Sequence, residues 1–141
     1  MGLGYYVRAA NDSFTDHGMF AASAGVVNER ALEAVSAILA ELRQLKTELV
    51  PPVELRKAKD MMAGRLMLGL ESSDEIAEFF GFQEILRKKL TTPEELVARM
   101  RKVTAKDIQD VARQIFVTEH LNLALIGPWR ENKDFIKLLK F

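Results

Sequence analysis

Apolar residues in this chain recur mostly at three- and four-residue steps, the spacing that lines side chains along one face of an α-helix. The pattern is strongest over Val53–Leu70, where Leu55, Ala58, Met62, Leu66 and Leu70 make one stripe. Pro51 and Pro52 supply the start signal, because proline suits the first helical turn and breaks whatever precedes it. Gly64 and Gly69 flank the stripe, and each costs on the order of 1 kcal/mol against alanine. Such glycines usually mark close approach of another element, so the spacing predicts a helix buried on more than one side. Ahead of it, Asn28 reads as the N-cap of a helix over Arg30–Leu49. Ala31, Val35, Ile38, Leu42, Leu45 and Leu49 give that helix its stripe, and Leu32 and Leu39 widen it beyond a coiled-coil seam.

Three further helices follow from their start signals. Ser72 and Glu75 stand in the reciprocal positions of a capping box, opening a helix to about Leu90. Its Ile76, Phe79, Phe80, Phe82, Ile85 and Leu86 form the richest aromatic patch of the chain. Thr92-Pro93-Glu94-Glu95 opens a short helix to about Arg101. Thr104 caps the next, with Asp107 three residues on and Ile108, Val111, Ala112, Ile115 and Phe116 as the inward stripe. Glu131–Phe141 is read as a last short helix.

The period changes at both ends of the chain. Gly2–Ala10 reads as a strand with Leu3, Tyr5, Val7 and Ala9 on one face and Tyr6 and Arg8 on the other. Asn11–Gly18 is rich in turn formers and reads as a loop, followed by a small-residue strand over Met19–Val27. The two are expected to pair as an antiparallel hairpin with a long loop. Leu121–Ile126 reads as a third strand, stopped by Gly127-Pro128. The fold class is therefore α+β: helix-rich, with a small antiparallel sheet packed against helices. Three strands leave an open sheet edge, which points to edge pairing between two copies or to membership of a larger protein.

Composition narrows the function classes. At 141 residues the chain suits one domain with one core. Twenty basic and twenty acidic residues cancel, which argues against a nucleic-acid or anionic-membrane footprint. No apolar run approaches the ~20 residues of a membrane span. The opening MGLGYYVRAA lacks the charged-then-apolar layout of a secretory leader, so a soluble, cytoplasmic chain is expected. With no cysteine, disulfides, thiolate metal sites and thiol nucleophiles are excluded.

Candidate chemistry is sparse. His17 and His120 lack a His or Glu partner at helical metal-ligand spacing. No serine sits on a recognisable nucleophile turn, and Gly2-Leu3-Gly4 is only a fragment of a phosphate loop. The aromatic patch at Phe79, Phe80 and Phe82 reads as core, with a small-ligand pocket as the other possibility. Tyr5 and Tyr6 stand apart. Adjacent tyrosines on a strand face opposite ways, so one can pack while the other offers a phenol to a carbonyl oxygen that gains charge during attack. Plain cross-strand aromatic packing is the simpler use of the pair.

Six stretches carry a resemblance: GLGYYV, DHGMF, ELRKAK, GRLMLGLES, VTAKDIQDVARQIF and LNLALIGP. In order and spacing they resemble the C-terminal, non-zinc domain of the insulinase/pitrilysin metallopeptidases, on the bacterial and mitochondrial-processing-peptidase-like side. The match runs over nearly all of the chain, so residues 1–141 are expected to form a single, partial domain of that type, its C-terminal half. Met1 would then open a shortened coding sequence. The resemblance implies paired α+β domains around a chamber. The first holds zinc through an inverted H-x-x-E-H helix and a distal Glu; the second has lost the metal and holds peptide. It also implies that an Arg and a Tyr of the second domain reach the chamber, and Tyr5 is the position matching that Tyr. The Arg would precede residue 1. No H-x-x-E-H occurs in this sequence. The expected role is thus a non-catalytic cradle, inactive alone, with no cofactor of its own and zinc in the catalytic domain of the parent enzyme. Expected partners are that zinc-bearing domain or subunit and a peptide substrate. The alternative is a self-associating module that dimerises through its sheet edge.

Overall fold

Residues 4–141 are described by a computed structural model. The chain folds as two compact units. One combines the chain up to Leu49 with Gln109–Phe141, and the other is Val50–Ile108.

The first unit holds the sheet. Strands β1 (Tyr6–Ser13) and β2 (Gly18–Gly25) pair antiparallel, with Tyr6 opposite Gly25 and Ser13 opposite Gly18. The sequence places the turn too early and makes it too long. Asn11–Ser13 are good turn formers, yet they lie in the ladder against Gly18–Phe20. The reversal is confined to Phe14–His17, closed by the Phe14 N–H donating to the His17 carbonyl at 2.9 Å. Phe14 and His17 stack face to face across it, ring centroids 4.5 Å apart. Aromatic stacking and ladder hydrogen bonds here override local turn preference. The predicted start at Gly2 and the inward Leu3 lie outside the described residues.

A 3-10 turn (Asn28–Arg30) leads into α1 (Ala31–Thr47). The Asn28 side chain makes no cap bond; Arg30 instead grips Glu33 through two hydrogen bonds of 2.9 and 3.0 Å. Ala31, Ala34 and Leu39 are the buried positions of α1, so the centre of its apolar face lies nearer Leu39 than the stripe through Leu49 implied. The rest of the core comes from the far end of the chain: Ala112, Phe116 and Phe135. Phe116 is its hub. It meets Phe20 of β2 edge to face at 5.2 Å and Phe141 at 5.7 Å. The Lys46 ammonium donates to the Phe116 carbonyl at 2.7 Å, and Arg113 donates to the Lys46 carbonyl at 2.9 Å. Helix α6 (Lys133–Leu138) packs on α1 and seats Phe135 against Trp129.

One predicted strand is absent. Leu121–Ile126 follows a 3-10 turn (Thr118–His120) but joins no ladder among the described residues. Leu121 has extended dihedrals, so the local preference is met. A strand also needs a neighbour, and sequence periodicity says nothing about whether one exists.

The second unit is helical: α2 (Pro52–Leu68), α3 (Ser73–Arg87), α4 (Pro93–Lys102) and the first turn of α5 (Ala105–Ile115). Its start signals act as the sequence predicts. Ser72 with Glu75 and Thr92 with Glu95 form full capping boxes. Thr104 and Asp107 exchange the same pair of bonds, 2.7 and 3.1 Å, at the head of α5. Helix α3 ends at Lys88 in the left-handed region, φ 50°. Gln83 then ties the turn by accepting from the Thr91 N–H at 2.8 Å and donating to the Thr91 carbonyl at 3.2 Å. The expectation for α2 fails: none of its residues is buried, and a Cβ placed on Gly64 would meet nothing within 4 Å. That glycine marks open space, not close approach.

Candidate functional site: the head of the hairpin

Tyr5 sits just before β1. Its N–H donates to the Gly25 carbonyl at 2.7 Å, extending the ladder by one bond, and its side chain is 83% exposed. The phenol has no hydrogen-bond partner among the described residues, so both its proton and its lone pairs are available. Tyr6, 52% exposed, lies across the strand pair and covers Gly25 so closely that a Cβ there would overlap the ring edge. The Arg8 guanidinium stands over the same ring, 5.9 Å from its centroid. Tyr6 and Arg8 thus share a face, as the period-two reading requires. Neither tyrosine is packed into a core, which the expectation of one buried and one free ring did not foresee. The role of Gly25 was also missed; a glycine closing a run of small residues opposite an aromatic is the signal that could have shown it.

The other candidates lie elsewhere. His17 is at the hairpin tip, 2.6 Å from Asp16 Oδ1, and His120 is exposed in the second 3-10 turn. Among the described residues, no three His, Cys, Asp or Glu side chains converge as ligands for a metal ion. The residues present therefore do not fit a zinc centre. Phe79 and Phe80 meet edge to face at 5.1 Å while Phe82 is exposed. The nearest thing to a pocket in this unit is a shallow cleft of about 540 Å³ between α2 and α4, floored by Ala63, Gly64, Val97 and Ala98. Among the described residues no helix is long and apolar enough to cross a membrane.

This hairpin and the helices after it are shared with known proteins. The family model of the peptidase M16 inactive domain matches residues 1–62. Over 127 residues the chain is 33% identical to the uncharacterized zinc protease YmxG of Bacillus subtilis, covering 90% of this chain. What residues 1–62 share with these proteins is the inactive domain of the M16 peptidases. The chain's resemblance to the C-terminal domain of insulinase-type peptidases is thereby borne out. The alpha subunit of the mitochondrial-processing peptidase of Neurospora crassa is 28% identical over 76% of the chain. A crystal structure of a conserved protein from Enterococcus faecalis superposes on 79% of this chain with a TM-score of 0.70 and 25% identity. Complex III2 of Candida albicans contains the same fold, with a TM-score of 0.71 at 16% identity over 77% of the chain. The chain spans about a third of the Bacillus protein, 31% of its length, and 19% of the Neurospora subunit.

Proposed function

We propose that this chain is a non-catalytic, substrate-cradling part of a zinc-dependent M16 peptidase. The observation that carries the reading is a free phenol, that of Tyr5, held at the head of a hairpin inside the region that matches the family's inactive domain. The ladder bond to Gly25 fixes the Tyr5 backbone, and the Tyr6 ring on Gly25 stiffens the strand beneath it. From that position Tyr5 donates a hydrogen bond to the carbonyl oxygen of a peptide held in extended form. The bond strengthens as the oxygen gains charge, which is the requirement for a contribution to rate. In this reading zinc, with the water it activates, belongs to the catalytic domain or subunit of the parent enzyme; among the described residues no ligand set converges. The single, partial domain expected from the sequence fits this role: a wall completed by a larger partner.

The test has two arms. The 141-residue chain with added zinc shows no peptide cleavage; chelator-sensitive turnover by the pure chain would overturn the reading. In the whole parent enzyme, Tyr5→Phe lowers kcat more than it raises KM, by roughly 100- to 1,000-fold for one lost transition-state donor. Unchanged kcat would remove Tyr5 from the mechanism.

A second reading has its own observation. Every residue of β1 is exposed, and the hairpin has no further strand on either side among the described residues. A second copy pairing edge to edge would cover one side symmetrically. Light scattering separates the two readings: a monomer across the accessible concentration range excludes the homodimer.

A further inference from the structure

The hairpin has two unlike faces. Side chains alternate from face to face along a strand, and Phe20 of β2 turns to Phe116 in the aromatic cluster. Its cross-strand partner Asn11 shares that inner face. Tyr6, Arg8, Ala10 and Asp12 therefore share the outer face, where Ala10 lies opposite Ala21 and Asp12 opposite Met19. Arg8 and Asp12 are both exposed. Among the described residues neither side chain has a hydrogen-bond or ion-pair partner. They stand four residues apart, ~13 Å along an extended strand. That exceeds the ~8 Å screening length of physiological salt, so neither charge neutralises the other.

We propose that this outer face selects extended peptides carrying an acidic and a basic side chain four residues apart, the acid on Arg8 and the base on Asp12. The inference rests on the reading of the chain as a peptide cradle, and names the class of peptide it holds. The Arg8 guanidinium is steadied over the Tyr6 ring, 5.9 Å from its centroid. A planar guanidinium pairs with a carboxylate through two parallel hydrogen bonds. The stem of a lysine bound to Asp12 lies along Met19, which is 51% exposed. Between the two charges only alanine methyls stand on the face, so a peptide backbone can approach closely. Spacing fixes the form of the occupant. An extended chain repeats the rise of the strand, so its i and i+4 side chains fall on one side, ~13 Å apart. A helix sets the same pair only about 6 Å apart. A phosphate chain or an anionic membrane would suit Arg8 and be repelled by Asp12.

The experiment is fluorescence anisotropy with the 141-residue chain and short, labelled, threonine-rich peptides. One peptide carries Glu and Lys four residues apart; a second carries them three apart, on opposite sides of the strand. The first binds roughly tenfold tighter than the second. Arg8→Glu weakens the first by roughly the same factor, and a peptide with Lys at both positions recovers the loss. Where Arg8→Glu does not fold, Asp12→Lys with a peptide carrying Glu at both positions makes the same comparison. Equal affinity at the two spacings overturns the proposal. So does failure of the like-charged peptide to recover binding, or no binding of the first peptide up to about 1 mM. Tighter binding of a single-stranded oligonucleotide overturns it in favour of a phosphate ligand. Spacing-selective binding with unchanged kcat in Tyr5→Phe upholds the face and counts against the role of Tyr5; a Tyr5 effect with spacing-blind binding does the reverse.

Discussion

The two units of this molecule are held together by different physics. The six buried apolar residues among those described, Ala31, Ala34, Leu39, Ala112, Phe116 and Phe135, belong to the first unit. They come from distant parts of the sequence, and one of them, Phe116, also meets the rings of Phe20 and Phe141. The second unit has a single buried residue, the polar Thr91. Its helices are defined at their ends, by three cap pairs, by Gln83 on Thr91, and by the Lys59 ammonium on the Arg101 carbonyl in α4 and the Val103 carbonyl just past it. Burial of apolar area gives global stability, whereas caps mainly decide where helices begin and stop. The second unit is thus well specified and weakly stabilised, and its amides should exchange faster than those of α1.

Four measurements would break or sharpen that contrast. Phe116→Ala removes the hub and should cost about 3–5 kcal/mol, read as a lower urea midpoint and lost protection in α1. A cost below ~1 kcal/mol would mean that the aromatic cluster does not hold the first unit. Thr92→Ala removes one capping box and should cost about 1 kcal/mol, seen as faster exchange confined to the first turn of α4. Gly64→Ala should act in the opposite direction, stabilising α2 by about 0.5–1 kcal/mol, since a Cβ there meets only open space. Destabilisation would show that the α2–α4 cleft closes on something. The smallest effect concerns pH. The Thr104 hydroxyl and backbone N–H hold the Asp107 carboxyl below its ordinary value, with the hydroxyl the larger cause. The folded state therefore favours the ionised form. This contribution is complete above the unfolded value, about pH 4, and is lost as pH falls through the lowered folded value. Asp107→Asn should flatten the acid limb of helix α5 stability; an unchanged limb would assign it to other carboxylates.

What the sequence made legible follows the same division. Cap chemistry is local, so Ser72 with Glu75, Thr92 with Glu95 and Thr104 with Asp107 could each be read from residues three apart. Strand ends depend on a partner elsewhere in the chain. Asn11–Ser13 looked like a loop until Gly18–Phe20 lay opposite them, and Leu121–Ile126 looked like a strand without its neighbour. The exposure of α2 was illegible for a related reason. A stripe at helical spacing shows which face is apolar, not whether anything covers it. Tyr5 is a third case: residue type and strand position made it a candidate, and only family resemblance ranked it above Tyr6.

Phe141 shows how far such dependence reaches. The Phe141 N–H donates to Thr118 Oγ1 at 2.9 Å, its ring lies against Phe116, and the Lys46 ammonium stands 5.0 Å from that ring's centroid. A single residue thus clasps the second 3-10 turn, the Phe116 ring and the last turn of α1 together.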